Sequence, residues 1–175
     1  MTQSKDHEYM QLALSEARKS PPRPTNFCVG AVLVSPSSSV PILATGYTLE
    51  EPGNTHAEQS AFAKLARVYS ILHTDNIEER LGGHIPADTT LYTTMEPCNK
   101  RSPGNKTCVD RILHMKTSDG RPAIRRVCVG VSEPDTFVGI NQGRAQLENA
   151  GIVFDIVAGL EEEILAVAKA GHVKA

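Results

Sequence analysis

A chain of 175 residues, 40% hydrophobic and 22% charged, suits one globular core, so we expect a single domain over residues 1–175. A net charge of −2 and a pI near 6.3 argue against a phosphate backbone as main partner, which selects a basic excess; the expected partner is a small molecule, not nucleic acid. No apolar run approaches the roughly 18 residues a membrane span needs, and Met1-Thr2-Gln3-Ser4-Lys5-Asp6-His7-Glu8 lacks the apolar core of a signal peptide, so the expected location is cytoplasmic, away from the membrane.

In chain order, Tyr9, Met10, Ala13 and Ala17 mark one face of a helix from Asp6 to Lys19, stopped by Ser20-Pro21-Pro22. Residues Phe27 to Val34 and Ile42 to Tyr47 read as strands, and Ser35 to Ser39 between them predicts an antiparallel hairpin. A second helix is expected from Thr55, where Thr55-x-x-Glu58 has capping-box spacing and Ala61, Phe62, Leu65, Ala66 and Tyr69 continue the stripe. Thr74 to Asp88 reads as an irregular excursion. Then come a strand (Thr89 to Thr94), a short helix through Val109 to His114, and a strand (Ile124 to Val131). A helix (Asn141 to Ala150), a strand (Ile152 to Val157) and a terminal helix (Gly159 to Ala170) complete the order. Strands that alternate with helices run parallel. The expected fold is α/β, a five-stranded mixed sheet with helices on both faces.

Three pieces carry chemistry: His56-Ala57-Glu58, Pro97-Cys98 and Cys108. One imidazole and two thiolates make a zinc set, and three protein ligands leave a fourth position for water, as a catalytic site requires. Two thiolates also balance the charge of the ion. Glu58, two residues from His56, is then free to move protons without binding the metal. Pro97 suits the first position of a helix, which would put Cys98 at a helix N-terminus where the dipole favours thiolate. Each choice has a plainer rival. Glu58 has the spacing of a helix cap, and one carboxylate cannot do both jobs. Cys98 and Cys108 could be core thiols, although their Pro, Asn, Lys, Arg and Gly neighbours are not core residues. Cys28 and Cys128, inside apolar strands, read as packing residues. His7, His73, His84 and His114 stand outside any constellation, while His172 follows the last helix and could close over a substrate.

The set resembles the zinc deaminase signature H-x-E with P-C-x-x-C, except that nine residues, Asn99 to Thr107, separate the two cysteines. The widened segment reads E-P-C-x-x-R-x-x-G-N-x-x-C from Glu96 to Cys108, and Asn26-Phe27-Cys28-Val29-Gly30 fits N-x-x-V-G. With the stretch Glu133 to Ile152, these features resemble the riboflavin-pathway branch of the cytidine deaminase superfamily, over almost the whole chain. The form E-P-C-x-x-R-x-x-G-N-x-x-C is that of the fungal branch, which this sequence resembles.

The resemblance implies a three-layer α/β/α cytidine-deaminase-like fold, one Zn2+ per chain on His56, Cys98 and Cys108, Glu58 as the acid/base, and a homodimer. It implies hydrolytic removal of the 2-amino group of a phosphorylated pyrimidine, 2,5-diamino-6-ribitylamino-4(3H)-pyrimidinone 5′-phosphate, giving the pyrimidinedione and ammonia. Asn26 and the Ala57 N–H would hold the ring, and the loop with Asn99, Lys100, Arg101 and Asn105 (Lys106 beside it) the ribityl phosphate. The rival readings are a deaminase of a free base, nucleoside, nucleotide or tRNA, and a non-catalytic protein with a structural zinc.

Overall fold

The computed structural model describes residues 3–72, 76–132 and 142–172. Strand β1 (Gly30–Val34) pairs antiparallel with β2 (Ile42–Tyr47) on one side and with β3 (Thr89–Met95) on the other. β3 pairs in parallel with β4 (Ile124–Val131), and β4 with β5 (Val153–Ile156), giving the order β2-β1-β3-β4-β5. The parallel half follows from the crossovers, because β3 to β4 and β4 to β5 each pass through a helix. These are α4 (Cys108–His114) and α5 (Gly143–Asn149).

Alternation along the strands divides the core into two layers. Ala31, Leu33, Leu91, Val127 and Val129 face α2 (Ala57–Val68), α3 (Ile77–Leu81), α4 and α5, packing with Phe62, Leu65, Ile112 and Leu147. Their neighbours Val32, Val34, Tyr92 and Cys128 face the other way. They pack on Met10, Ala13 and Leu14 of α1 (Gln3–Ala17) and on Ile164 and Ala168 of α6 (Glu161–Ala168). Period-two strands with both faces buried are what a sheet between two helical layers requires. The expected three-layer mixed sheet is present. No helix among the described residues is long and apolar enough to cross a membrane.

Two polar devices fix the layers. Arg126 of β4 makes paired bonds of 2.8 Å to Asp6 of α1 and one of 2.7 Å to Asp155 of β5. Tyr92 of β3 donates to Asp6 at 2.6 Å. On the other face, a Cβ at Gly46 of β2 would overlap the Ala57 carbonyl and lie 2.6 Å from the Ala61 nitrogen. The start of α2 therefore rests directly on the β2 backbone, which no larger residue permits.

Three sequence expectations change. The excursion expected over Thr74 to Asp88 contains α3, held because Leu81 is buried and Glu78, also buried, pairs with Arg111 of α4; residues 73–75, with His73, lie outside the described residues. Helix α2 begins at Ala57, not Thr55, and no capping box forms: Thr55 Oγ1 donates to the Glu51 carbonyl at 2.9 Å, and His56 takes the cap position. Pro97 and Cys98 lie in a loop. The helix begins at Cys108, where Thr107 accepts from the Asp110 N–H at 3.0 Å as its N-cap. Asn141, the expected start of α5, and the first part of the stretch from Glu133 to Ile152 that carried part of the resemblance, residues 133–141, lie outside the described residues.

Candidate active site

The first turn of α2 and the loop after β3 meet at the carboxyl end of β3, the edge where open α/β sheets gather ligands. His56 caps α2, Ala57 and Glu58 open it, and Cys98 follows β3 by three residues. Cys108 reaches the same point from the start of α4. Its N–H donates to the Cys98 sulfur at 3.4 Å, and the Val109 N–H donates to the Cys98 carbonyl at 3.1 Å. The long loop between the cysteines thus closes on itself.

The His56 Nδ1 lies 3.4 Å from the sulfur of Cys98 and 3.4 Å from that of Cys108, and all three donor atoms fall within 4.8 Å of one another. Zn–S and Zn–N bonds of ordinary length at a tetrahedral angle require an N···S separation of about 3.6 Å. The donor set and its spacing fit zinc. With three donors among the described residues, zinc held here would keep a fourth position for water.

Glu58 is 3% exposed. One carboxylate oxygen lies 3.2 Å from Thr93 Oγ1 and the other 3.3 Å from the Cys108 sulfur. Burial raises its pKa above the ordinary carboxylate value, against the pull of His56. The Cys108 thiol, as a hydrogen-bond donor, holds the Cys98 thiol well below its ordinary value despite burial, with help from His56; Cys108 itself is pushed up by that neighbour and by its own burial.

A cavity of about 280 Å³ opens on this cluster. Asn26, Phe27, Asn54, Ala57, Met95 and Glu96 line it together with His56, Glu58 and Cys98. Of the residues expected to touch substrate, Asn26 and Ala57 are brought to the cavity. As first residue of α2, Ala57 has an N–H with no partner inside the helix. Asn99, Lys100, Arg101 and Asn105 lie on the adjoining loop and are not among the lining residues. Arg101 binds the Asn54 carbonyl at 2.7 Å and Gln59 Oε1 at 3.2 Å, and Asn105 turns back onto the Ser102 carbonyl. His172 packs on Phe27 and lies 3.0 Å from the Asn26 carbonyl, behind the cavity wall.

Sequence reasoning missed Asn54 and Thr93. Asn54 receives the Asn26 amide at 2.9 Å, but in Glu51-Pro52-Gly53-Asn54 it reads only as a turn residue. Thr93 reads as strand filler. Counting alternate positions on β3 from Leu91 would have turned it toward the α2 face.

Residues 3–121 match the family described as the cytidine and deoxycytidylate deaminase zinc-binding region. The diaminohydroxyphosphoribosylamino-pyrimidine deaminase of Schizosaccharomyces pombe is 39% identical over 165 residues, 94% of this chain; the chain spans 35% of that relative's length. The Aspergillus oryzae Rib2 deaminase, solved as a C-terminal deletion mutant, is 45% identical with a TM-score of 0.82, covering 95% of this chain and 91% of that one. The same enzyme solved in complex with DARIPP is 43% identical, with a TM-score of 0.81 and coverage of 95% and 91%. With more than half of its length matched and a zinc-fitting His–Cys–Cys cluster beside a buried glutamate, this chain belongs to the zinc-binding cytidine and deoxycytidylate deaminase family.

Proposed function

We propose that residues 1–175 form one deaminase domain that hydrolyses the 2-amino group of 2,5-diamino-6-ribitylamino-4(3H)-pyrimidinone 5′-phosphate, giving the pyrimidinedione and ammonia in riboflavin biosynthesis. The observation that carries this reading is the placement of Glu58. It is a buried carboxylate with one oxygen held by Thr93 and the other beside Cys108, at the floor of a cavity on the three-donor cluster. The substrate class is supported by likeness to the Aspergillus oryzae deaminase, whose complex holds DARIPP.

His56, Cys98 and Cys108 would hold the metal. Held there, zinc would supply the Lewis acidity that makes water a nucleophile near neutral pH. Glu58 would carry both protons of the attacking water in turn: its carboxylate accepts the first and passes it to the ring nitrogen next to C2, then accepts the second from the new C2 hydroxyl and delivers it to the departing amine. The C2–N bond breaks and a C2–O bond forms, so one water enters and one ammonia leaves. Burial, which raises the Glu58 pKa, makes its carboxylate a better proton acceptor than an exposed one. Asn26 and the Ala57 N–H would orient the ring, while Asn99, Lys100 and Asn105 border the path of the ribityl phosphate.

Four free thiols suit a reducing cytoplasm. Val153 and Ile156, half exposed on edge strand β5, offer an apolar contact for a homodimer, which sedimentation at micromolar concentration would reveal. Zinc content and ammonia release measured on one preparation test the reading: about one zinc per chain with steady ammonia release supports it. Zinc without ammonia release from any amino-pyrimidine would make the metal structural.

A further inference from the structure

Arg101 stands between the two cysteines, yet its guanidinium is turned onto protein acceptors from three segments. Nη2 donates to the Asn54 carbonyl at 2.7 Å, in the turn before α2. Nη1 donates to Gln59 Oε1 of α2 at 3.2 Å and to the Lys106 carbonyl, near the far end of the same loop, at 3.4 Å. Asn54, so held, accepts the Asn26 amide at 2.9 Å, and both asparagines line the cavity that Arg101 does not. We propose that Arg101 is a positioning residue that ties the loop between the cysteines to the substrate wall, acting on the bound ring through Asn54 and Asn26.

The guanidinium suits this work because its planar fork presents several donors in fixed directions, whereas the lysine ammonium is a single point charge on a flexible stem. The tethered positions also bracket the reacting cluster: Asn54 is two residues before His56, Gln59 follows Glu58, and Lys106 is two before Cys108. The inference rests on the deaminase reading for its kinetic arm only.

The test uses the zinc-loaded full chain. Arg101→Ala should raise KM by about tenfold, the factor for one charge-assisted hydrogen bond. It should do so equally for the ribityl pyrimidine phosphate and its dephosphorylated analogue, and Arg101→Lys should not rescue it. In an Asn26→Ala background the same change should add less than about twofold, because the two residues act on one path. A loss confined to the phosphorylated substrate would make Arg101 a phosphate ligand and overturn the proposal, as would full additivity with Asn26→Ala. The second arm needs no turnover. The Asn26 side-chain amide resonance of ¹⁵N-labelled protein, identified by its disappearance in Asn26→Ala, should shift or broaden in Arg101→Ala and in Arg101→Lys. An unmoved resonance overturns the proposal. If the wild-type chain releases no ammonia from either pyrimidine, the deaminase reading fails and the resonance still decides the role of Arg101.

Discussion

Glu58 and Cys108 stand fifty residues apart in sequence, and the carboxylate lies 3.3 Å from the sulfur. That contact sets a buried carboxylate, the proposed proton carrier, against a sulfur of the zinc-fitting cluster without making it one of the three donors. Glu58→Gln keeps the shape and removes the charge. It should retain zinc and fold while turnover falls by about 10²–10⁴, the range for general acid–base groups. Activity within about tenfold of wild type would reduce Glu58 to a structural residue.

Replacing any of His56, Cys98 or Cys108 by Ala should abolish stable zinc binding and activity together, since two protein donors hold zinc poorly. Metal analysis after gel filtration checks this. Full zinc occupancy in Cys108→Ala would contradict the donor set.

The backbone contact at Gly46 predicts a linked loss. A methyl group there collides with the Ala57 carbonyl, and the first turn of α2 must move. Gly46→Ala should lower both the melting temperature and zinc occupancy, whereas Gly53→Ala, where no atom lies within 4 Å of the new Cβ but φ is +91°, should cost stability alone. Zinc content and thermal unfolding of the two variants separate these outcomes.

Acid should release α1 from the sheet. Arg126 holds the Asp6 carboxyl below its ordinary value of 3.8. A carboxylate depressed on folding stabilises the protein above its unfolded pKa, and that contribution disappears as pH falls through the lower folded value. The stability of wild type should therefore drop below pH 3.8 more steeply than that of Asp6→Asn. At neutral pH, Asp6→Ala leaves Arg126 with one carboxylate and should cost about 3 kcal/mol. Urea unfolding across this pH range provides the measurement.

The mixed sheet, with its β1–β2 hairpin and its parallel half, is legible in the sequence because apolar alternation and helix-length spacers are local signals. The metal donors are legible because His and Cys in polar surroundings have few other uses. The spacing of Glu58 from Thr55 reads as a capping box, and only the fold turns Thr55 to the Glu51 carbonyl and Glu58 to Thr93 and Cys108. What the sequence hides is relational. Cys98 lies in a loop that Cys108, ten residues on, closes through its N–H to the Cys98 sulfur. Arg101 reads as a solvated or phosphate-facing charge until the Asn54 carbonyl and Gln59 are seen beside it. Short helix α3 is invisible in a polar stretch whose Glu78 finds Arg111 only in the fold.

The proposed substrate stands or falls on one comparison. Ammonia release by the zinc-loaded chain is followed with 2,5-diamino-6-ribitylamino-4(3H)-pyrimidinone 5′-phosphate, its ribosylamino counterpart, cytidine, dCMP and guanine. The ribityl compound should give the highest kcat/KM of the set, with one ammonia per pyrimidine consumed. Faster turnover of cytidine or dCMP would contradict the riboflavin-pathway assignment while leaving the zinc-deaminase chemistry of His56, Glu58, Cys98 and Cys108 in place.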